Sequence, residues 1–575
     1  MRRDHPLGRA LSPLDWVVLF GALALFVGYG VWRGRGERDL TDFLLAGRTM
    51  PWTMVALSVM ATQASAITFL STPGQGFADG LRFVQFYFGL PLAMVVVCVL
   101  AIPIYQRLKV FTAYQYLEER FDGKTRTLAA TLFLIQRGLA CGLTIYAPSL
   151  ILSVVLGWDV RFTCTLIGGL VLIYTMSGGS KAVGYTQALQ FSIIIGTMAL
   201  AFVLAARALP PGVGFGDAAA AAGELGRLNA LQTHFDPNDR YNLWSGLIGG
   251  FFLQLSYFGT DQSQVGRYLS GRSITESRLG LLFNGLMKVP MQLAILMLGV
   301  LLFVFYLFAA PPLHFDPVGR ARLAGADPSA YAALEHRHTA AWSERRDAAQ
   351  ELVAARRADD GARIAAAGDR LAAAQEAMAG VQKDKAALIH ASDPKAPTGD
   401  ANYVFLTFVL TYLPAGVIGL VFAAVFAASM NSTAAELNAL TSTTVVDVIK
   451  RFGRGASDGR HDVWISRVVT LAWAAFAVAF ADFASRLGTL VEAVNILGSL
   501  FYGTILGIFL TAFLLRPVRG TPVFAAALVA QAVVIACFKL TTISFLWYNL
   551  IGCVLVMGIA VVLQAVVGPR ESRAA

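Results

Sequence analysis

Three stretches of this chain place oxygen-bearing side chains in apolar surroundings. MATQASAITFLSTPGQG, residues 60–76, carries Thr62, Gln63, Ser65 and Thr68 and closes on Pro73, Gly74 and Gly76. QLSYFGTDQSQVGRYL, residues 254–269, carries Gln254, Ser256, Tyr257, Thr260, Asp261 and Gln262. FAAVFAASMNSTAAELNAL, residues 422–440, carries Asn431, Ser432, Thr433, Glu436 and Asn438. The chemistry open to such groups is coordination of a hard cation. Na⁺ favours hydroxyl, amide and backbone carbonyl oxygens. Asn431 and Ser432 offer two side-chain oxygens, and Ala428 lies one turn earlier on the same helix face. The competing reading is that Ser and Thr hydroxyls bond the carbonyl one turn back in a buried helix. No HExxH or Gly-x-Ser-x-Gly arrangement is present, so the sequence does not read as an enzyme.

These groups must be positioned by membrane helices. Of 575 residues, 56% are hydrophobic and only 14% charged, and the mean hydropathy is +0.61. Apolar runs long enough to cross a hydrocarbon core of about 30 Å recur along nearly the whole chain. Thirteen spans are expected: about 14–32, 53–71, 80–102, 127–155, 160–176, 182–206, 242–262, 280–309, 402–448, 463–483, 487–515, 520–538 and 543–567. The ninth is too long for one crossing, and Pro414 predicts a short outer helix before it. The N-terminal run has no small-residue cleavage site and reads as a first span rather than a signal peptide. Cys98, Cys141, Cys164, Cys537 and Cys553 all lie in apolar runs without CxxC spacing, which points to small core residues and not to a disulfide frame or zinc site.

Basic residues set the orientation. One alternating set of loops, with the C-terminal tail, holds about 22 Lys and Arg. The short loops of the other set, with the N-terminal tail, hold about 9. The first set is expected in the cytoplasm, with the N-terminus outside and the C-terminus inside. The formal net charge of +10 is then mostly this bias, and no nucleic-acid partner is needed. Residues 311–400 differ in kind: Ala-rich, with about 12 basic and 13 acidic residues. Their composition favours helix, and Ala358-Asp359-Asp360-Gly361 reads as a turn between two helices. This extracytoplasmic hairpin is either a solvated spacer or a surface for a protein partner or solute delivery.

The first two polar clusters fall in spans 2 and 7, five apart. Corresponding interrupted helices in two halves point to a transporter built from inverted repeats. Irregular backbone at membrane depth is tolerated only inside protein or beside a wet cavity. With these stretches, four further sequences bear on the family: FTAYQYLEERFDGKTRT (111–127), IYAPSLIL (145–152), TDQSQVGRYLSGRS (260–273) and MNSTAAELNALTSTTVVDVIKR (430–451). Together they resemble the sodium:solute symporter family, nearest in motif to its monocarboxylate, iodide, multivitamin and sugar branches. The resemblance covers most of the chain outside 311–400.

The resemblance implies an all-α polytopic fold: a LeuT-like core of two inverted five-helix repeats, with one N-terminal and two C-terminal helices added. It divides the chain into 1–50 (first helix and cytoplasmic loop), 51–310 (core helices 1–7), the 311–400 insertion, 401–515 (core helices 8–10) and 516–575 (peripheral helices). It implies a coupling Na⁺ site at Ala61, Ala64, Ala428, Asn431 and Ser432, where Asn431 replaces the family's first hydroxyl. A second sodium site of some members would use Gln187, Ala434 and Ala435. The acid and both hydroxyls expected there are absent, so one coupled sodium is expected. Glu436, one turn after Ser432, is a proton-titrating group, an exit step for the cation, or a partner for a nearby base. Substrate positions carry over as Gln63, Thr68, Tyr87, Gln254, Tyr257, Asp261, Lys288 and Asn495. Tyr257 would close over the solute from inside. Lys288 would suit a carboxylate or hydroxyl-rich solute; its alternatives are snorkelling or an ion pair with Asp261.

The expected function is Na⁺-coupled import of a small organic solute (carboxylate, sugar-like or vitamin-like) by alternating access in a bacterial inner membrane, as a monomer or weak oligomer. The rivals are a cation channel or leak, and a sensor or scaffold on a transporter fold.

Overall fold

The computed structural model describes residues 11–33, 40–394, 396, 398–452, 459–484 and 490–568. Among the basic residues behind the orientation reading, Arg2, Arg3, Arg9, Arg35, Arg38, Arg454, Arg486, Arg570 and Arg573 lie outside them. The described chain is helical almost throughout, as it must be where no water can satisfy an open backbone. Ten described helices are long and apolar enough to cross a membrane. That is fewer than the thirteen spans expected. Polar breaks and bends divide the rest into pieces too short to qualify by length and composition. Trp52–Gln63 and Ala66–Asp79 are one broken helix, whose second half runs into the qualifying segment Thr68–Leu108, and Gly250–Gly259 and Gln262–Leu269 are another. The long helix Val160–Arg207 bends at Gly179, where φ is 49° and only glycine is comfortable.

The third polar stretch lies on Val417–Thr443, the most sequestered of the ten. Of its apolar window 89% is buried, against 22% for Pro13–Arg33. Its polar residues therefore face protein and not lipid. Pro414 and Gly416 separate it from the short helix Ala401–Tyr412. Its first free N–H groups are met from another helix: Asp15 Oδ1 accepts from Gly416 N at 2.7 Å and Gly419 N at 3.0 Å. A carboxylate at a helix N-terminus also complements the helix dipole.

The Ala66–Asp79 helix lies backbone to backbone against Ile274–Phe308. A Cβ on Gly76 would come within 2.3 Å of the Leu296 carbonyl, and one on Gly299 within 2.0 Å of the Pro73 carbonyl. At one end of the molecule, the stretches 111–127 and 430–451 meet. Arg126 donates to Asp447 (2.8 Å), Glu118 (2.5 Å) and the Val446 carbonyl (3.0 Å), and Thr112 also donates to Asp447 (3.0 Å).

Residues 311–400 form a helical hairpin, Pro328–Arg357 and Gly361–Ser392, preceded by Pro317–Ala326. Asp327 caps the first long helix through Ala330 N (2.9 Å) and Asp360 the second through Arg363 N (3.1 Å). The turn sits at 358–360, where Asp359 is left-handed at φ 53°. Alanines at 348, 349, 367 and 374 are buried along the hairpin with Leu352, Leu371 and Met378. Small side chains let two long helices approach closely.

Candidate functional site

Helix Trp52–Gln63 stops because Ala64 (φ −82°, ψ 64°) and Ser65 (φ −72°, ψ 165°) leave the helical region. Ser65 then caps the next helix by accepting from Thr68 N. Against this break lies the centre of Val417–Thr443. Ser432 Oγ donates to the Thr62 carbonyl at 3.0 Å, and Thr68 Oγ1 to the Gln63 carbonyl at 3.3 Å. The side-chain amide of Asn431 is fully buried, and neither its oxygen nor its nitrogen has a protein partner. An unpartnered buried amide costs about 1–3 kcal/mol, so its oxygen, on the residue next to Ser432, suits a cation brought from solvent. Ala61, Ala64 and Ala428 are all buried.

Behind the break, Gln187 fixes the arrangement. Its Oε1 accepts from Ser58 Oγ at 2.5 Å. Its Nε2 donates to the Asn431 carbonyl at 3.2 Å and to Thr62 Oγ1 at 3.3 Å. Gln187 thus ties the two helices together where a carboxylate was expected. Ala434 and Ala435 are fully buried and bring no side-chain oxygen.

Ser432 and Glu436 also line a cavity of about 140 Å³. Of the predicted solute positions, Gln63, Thr68, Tyr87, Gln254, Tyr257, Lys288 and Asn495 line it too. Gln63 donates to Asn284 at 2.6 Å, and Gln264 donates to the Tyr257 hydroxyl at 2.7 Å, which orients both. The almost wholly buried Lys288 ammonium lies 5.5 Å from the centre of the partly buried Tyr87 ring. Its carboxylate partner is not Asp261.

Asp261 is not among the cavity-lining residues. It is held by Arg137 and accepts from the Tyr502 hydroxyl at 2.8 Å. The same guanidinium reaches Tyr502 at 2.6 Å and Glu436 at 3.1 Å. Of the three roles open to Glu436, the geometry provides the partner for a nearby base. Its Oε1 also accepts from Thr144 at 3.4 Å, while its Oε2 is buried without a protein partner. Arg137 and Tyr502 are the residues that sequence reasoning missed. The signal was present: Arg137 is an ionisable residue inside the apolar run LFLIQRGLACGL, and such residues mark sites by default.

The second break falls at Thr260 and Asp261, between Gly259 and Gln262. Its freed carbonyls are already satisfied. Tyr105 donates to the Gly259 carbonyl at 2.8 Å, Tyr114 to Thr260 at 2.9 Å and Tyr268 to Phe258 at 3.1 Å.

This architecture has known counterparts. The model of the sodium:solute symporter family matches residues 43–332 and 377–566; the stretch between, 333–376, lies in the helical hairpin. Sodium-coupled monocarboxylate transporter 1 of Homo sapiens is 26% identical over 498 residues, covering 86% of this chain and 68% of the relative. The human sodium/iodide cotransporter is 32% identical over 297 residues, 51% of this chain and 45% of that protein. Among solved structures, a Na⁺-coupled sialic acid symporter in a substrate-bound outward-open state superposes with a TM-score of 0.75 at 20% identity. It covers 97% of this chain and 99% of that one, so the two share a fold.

Proposed function

Because this chain belongs to the sodium:solute symporter family, and is therefore an integral membrane Na⁺-coupled symporter and not an enzyme, we propose that it imports a small organic solute bearing a carboxylate. One observation carries the reading: a single cavity joins the Ala64–Ser65 break, Ser432 and the Lys288 ammonium. Asp261 and Glu436 both pair with Arg137, and among the described residues Lys288 forms no ion pair. Lys288 is then left to meet an anionic solute, with Gln63, Thr68, Gln254 and Asn495 as polar contacts and Tyr87 and Tyr257 as aromatic walls.

In this scheme Na⁺ binds the carbonyls of Ala61, Ala64 and Ala428 with the side-chain oxygens of Asn431 and Ser432. Ser432 can keep donating to the Thr62 carbonyl while its oxygen lone pairs face the ion. Sodium favours the outward-open state by its differential affinity for it, and solute follows. One sodium is coupled, since Gln187 brings no carboxylate and Ala434 and Ala435 no hydroxyls to a second site. Each charge carried inward gains about 2.3 kcal/mol per 100 mV of membrane potential.

The proposed topology has 13 crossings. The ten long helices are joined by the short Val160–Ile173 and by the two broken helices, which count as separate passes. The basic loops then face the cytoplasm of a bacterial cell, with the N-terminus outside, the C-terminus inside and the hairpin on the outer face. Residues 51–310 and 401–515 make up the two inverted repeats around the 311–400 insertion, with 1–50 and 516–575 peripheral.

Uptake by proteoliposomes tests the reading. An inward Na⁺ gradient should drive accumulation of a labelled monocarboxylate, and internal unlabelled solute should accelerate entry. Lys288→Gln should raise the half-saturating concentration of carboxylates more than that of neutral polyols. Equal effects on both would remove Lys288 as the carboxylate anchor. Sodium-independent stabilisation by every solute in a thermal-shift screen would remove the coupling.

A further inference from the structure

A second cavity, of about 420 Å³, lies between the hairpin and the transport core. Its core wall includes Phe77, Arg227 and Phe303, and its hairpin wall His338, Arg345 and Met378. It is separate from the first, although Thr72 of that cavity and Phe77 of this one lie only five residues apart on Ala66–Asp79. Lys288 and Phe303 share one helix and lie 15 residues apart, about 22 Å at 1.5 Å per residue.

Two guanidiniums meet there over one ring. The Arg227 guanidinium carbon is 4.4 Å from the centre of Phe303, and that of Arg345 is 5.7 Å from it. Arg345 is only 5% exposed. It donates to Gln375 Oε1 at 3.0 Å and to the Tyr306 carbonyl at 3.2 Å, both uncharged acceptors. Arg227 donates to the Ala78 carbonyl. The Nε of each is buried without a protein partner.

Among the described residues no acid forms an ion pair with Arg345. Asp400 is held by Lys385 at 3.3 Å, His314 at 2.8 Å and the Phe315 N–H at 2.8 Å. Asp79 accepts from Gln75 and lends its charge to Arg227, not to Arg345. Lys383 adds another cation to the wall. Burial and the neighbouring Arg227 charge pull Arg345 down to about 10, the response of a cation lacking a counter-charge.

We propose that this cavity is a second solute site, which binds an organic carboxylate with an apolar body between Arg227 and Arg345. A carboxylate accepts from the guanidinium fork with two parallel bonds. It also relieves the repulsion between two like charges held in a low-dielectric place. Phe77, Phe303 and Phe315 supply an apolar wall, which inorganic anions would leave unused. The volume is that of a small-molecule pocket. The site exists because of the hairpin: Arg345 lies in the segment 333–376 that the family model does not match.

Equilibrium binding of labelled benzoate to the purified full-length protein in sodium-free buffer tests this. Benzoate should saturate one site, and benzamide, its neutral isostere, should not displace it. Arg345→Gln and Arg227→Gln should each weaken binding about tenfold or more. Lys288→Gln, in the central cavity, should leave it unchanged. Equal displacement by benzamide overturns the proposal. So does benzoate binding that survives both arginine substitutions, or that is lost with Lys288→Gln alone. Where an arginine-to-glutamine chain does not fold, two measurements take its place. Arg345→Lys keeps the charge without the fork and should also weaken benzoate binding, and the benzamide competition runs on the unaltered protein. Full-strength binding by Arg345→Lys, or displacement by benzamide, overturns the proposal in the same way.

Discussion

The two helix breaks of the core are chemically unlike. At Ala64–Ser65 the freed carbonyls are met by small hydroxyls of Ser432 and Thr68, beside an amide with no partner. At Thr260–Asp261 they are met by three tyrosine hydroxyls, and the carboxylate is locked to Arg137. A serine hydroxyl turns about one bond and can yield its acceptor to an ion. A tyrosine packed among aromatic rings cannot yield without moving a helix. The first break is built to exchange partners and the second to keep them, although in sequence both read as polar interruptions.

The largest test of this contrast removes the clamp. Arg137→Gln leaves Asp261 and Glu436 buried without their shared counter-charge, and should cost roughly 3–5 kcal/mol. Thermal unfolding in detergent should show a much lower midpoint, partly restored when Asp261→Asn is added. An unchanged midpoint would deny the second break its fixed character.

A pH step provides a control outside both breaks. His338 in the hairpin is held down to about 4 by burial, then by Arg345 and Lys385. Its folded value is below the unfolded one near 6.5. Its contribution is therefore complete above about pH 6.5 and is lost as pH falls towards 4, by at most roughly 3 kcal/mol. Hydrogen exchange of hairpin amides should accelerate over that window, after correction for intrinsic rates, and His338→Gln should flatten the effect. Asp400, held below the usual carboxylate range by His314 and Lys385, would act only at lower pH.

The exchangeable break is tested by Ser432→Ala. The sodium concentration for half-maximal uptake should rise about tenfold, equivalent to about 1.4 kcal/mol, with little change in unfolding midpoint. Unchanged sodium dependence would count against the site. Tyr114→Phe is the smallest and the mirror image. It should cost about 1 kcal/mol of stability and leave sodium dependence where it was. A shifted sodium dependence would mean that the second break also takes part in coupling.

Much of the architecture is legible in the chain. The hairpin turn at 358–361 follows from Asp, Asp and Gly between two Ala-rich runs, a local signal. The short helix before Pro414 and the interruption near residue 64 are local in the same way. The count of crossings is less legible, because broken and short helices blur the length that defines a span. The pairing of Asp261 is not legible. Lys288 is a candidate partner by sequence, while Arg137, 124 residues away, holds the carboxylate. Gln187 stands by resemblance where an acid is lost, and the structure shows it tying Thr62 to Asn431.

By itself the sequence determined that this is a membrane protein of many helices, that two of them are interrupted by polar residues, and that its oxygen-rich stretches suit a hard cation. These follow from hydropathy, helix propensity and residue chemistry, which act over a few turns of chain. Only the tertiary structure decided which break faces an orphaned amide and which is closed by tyrosines, and which cation neutralises Asp261 and Glu436. Those outcomes depend mostly on groups more than a hundred residues apart meeting where no water can substitute for a missing partner.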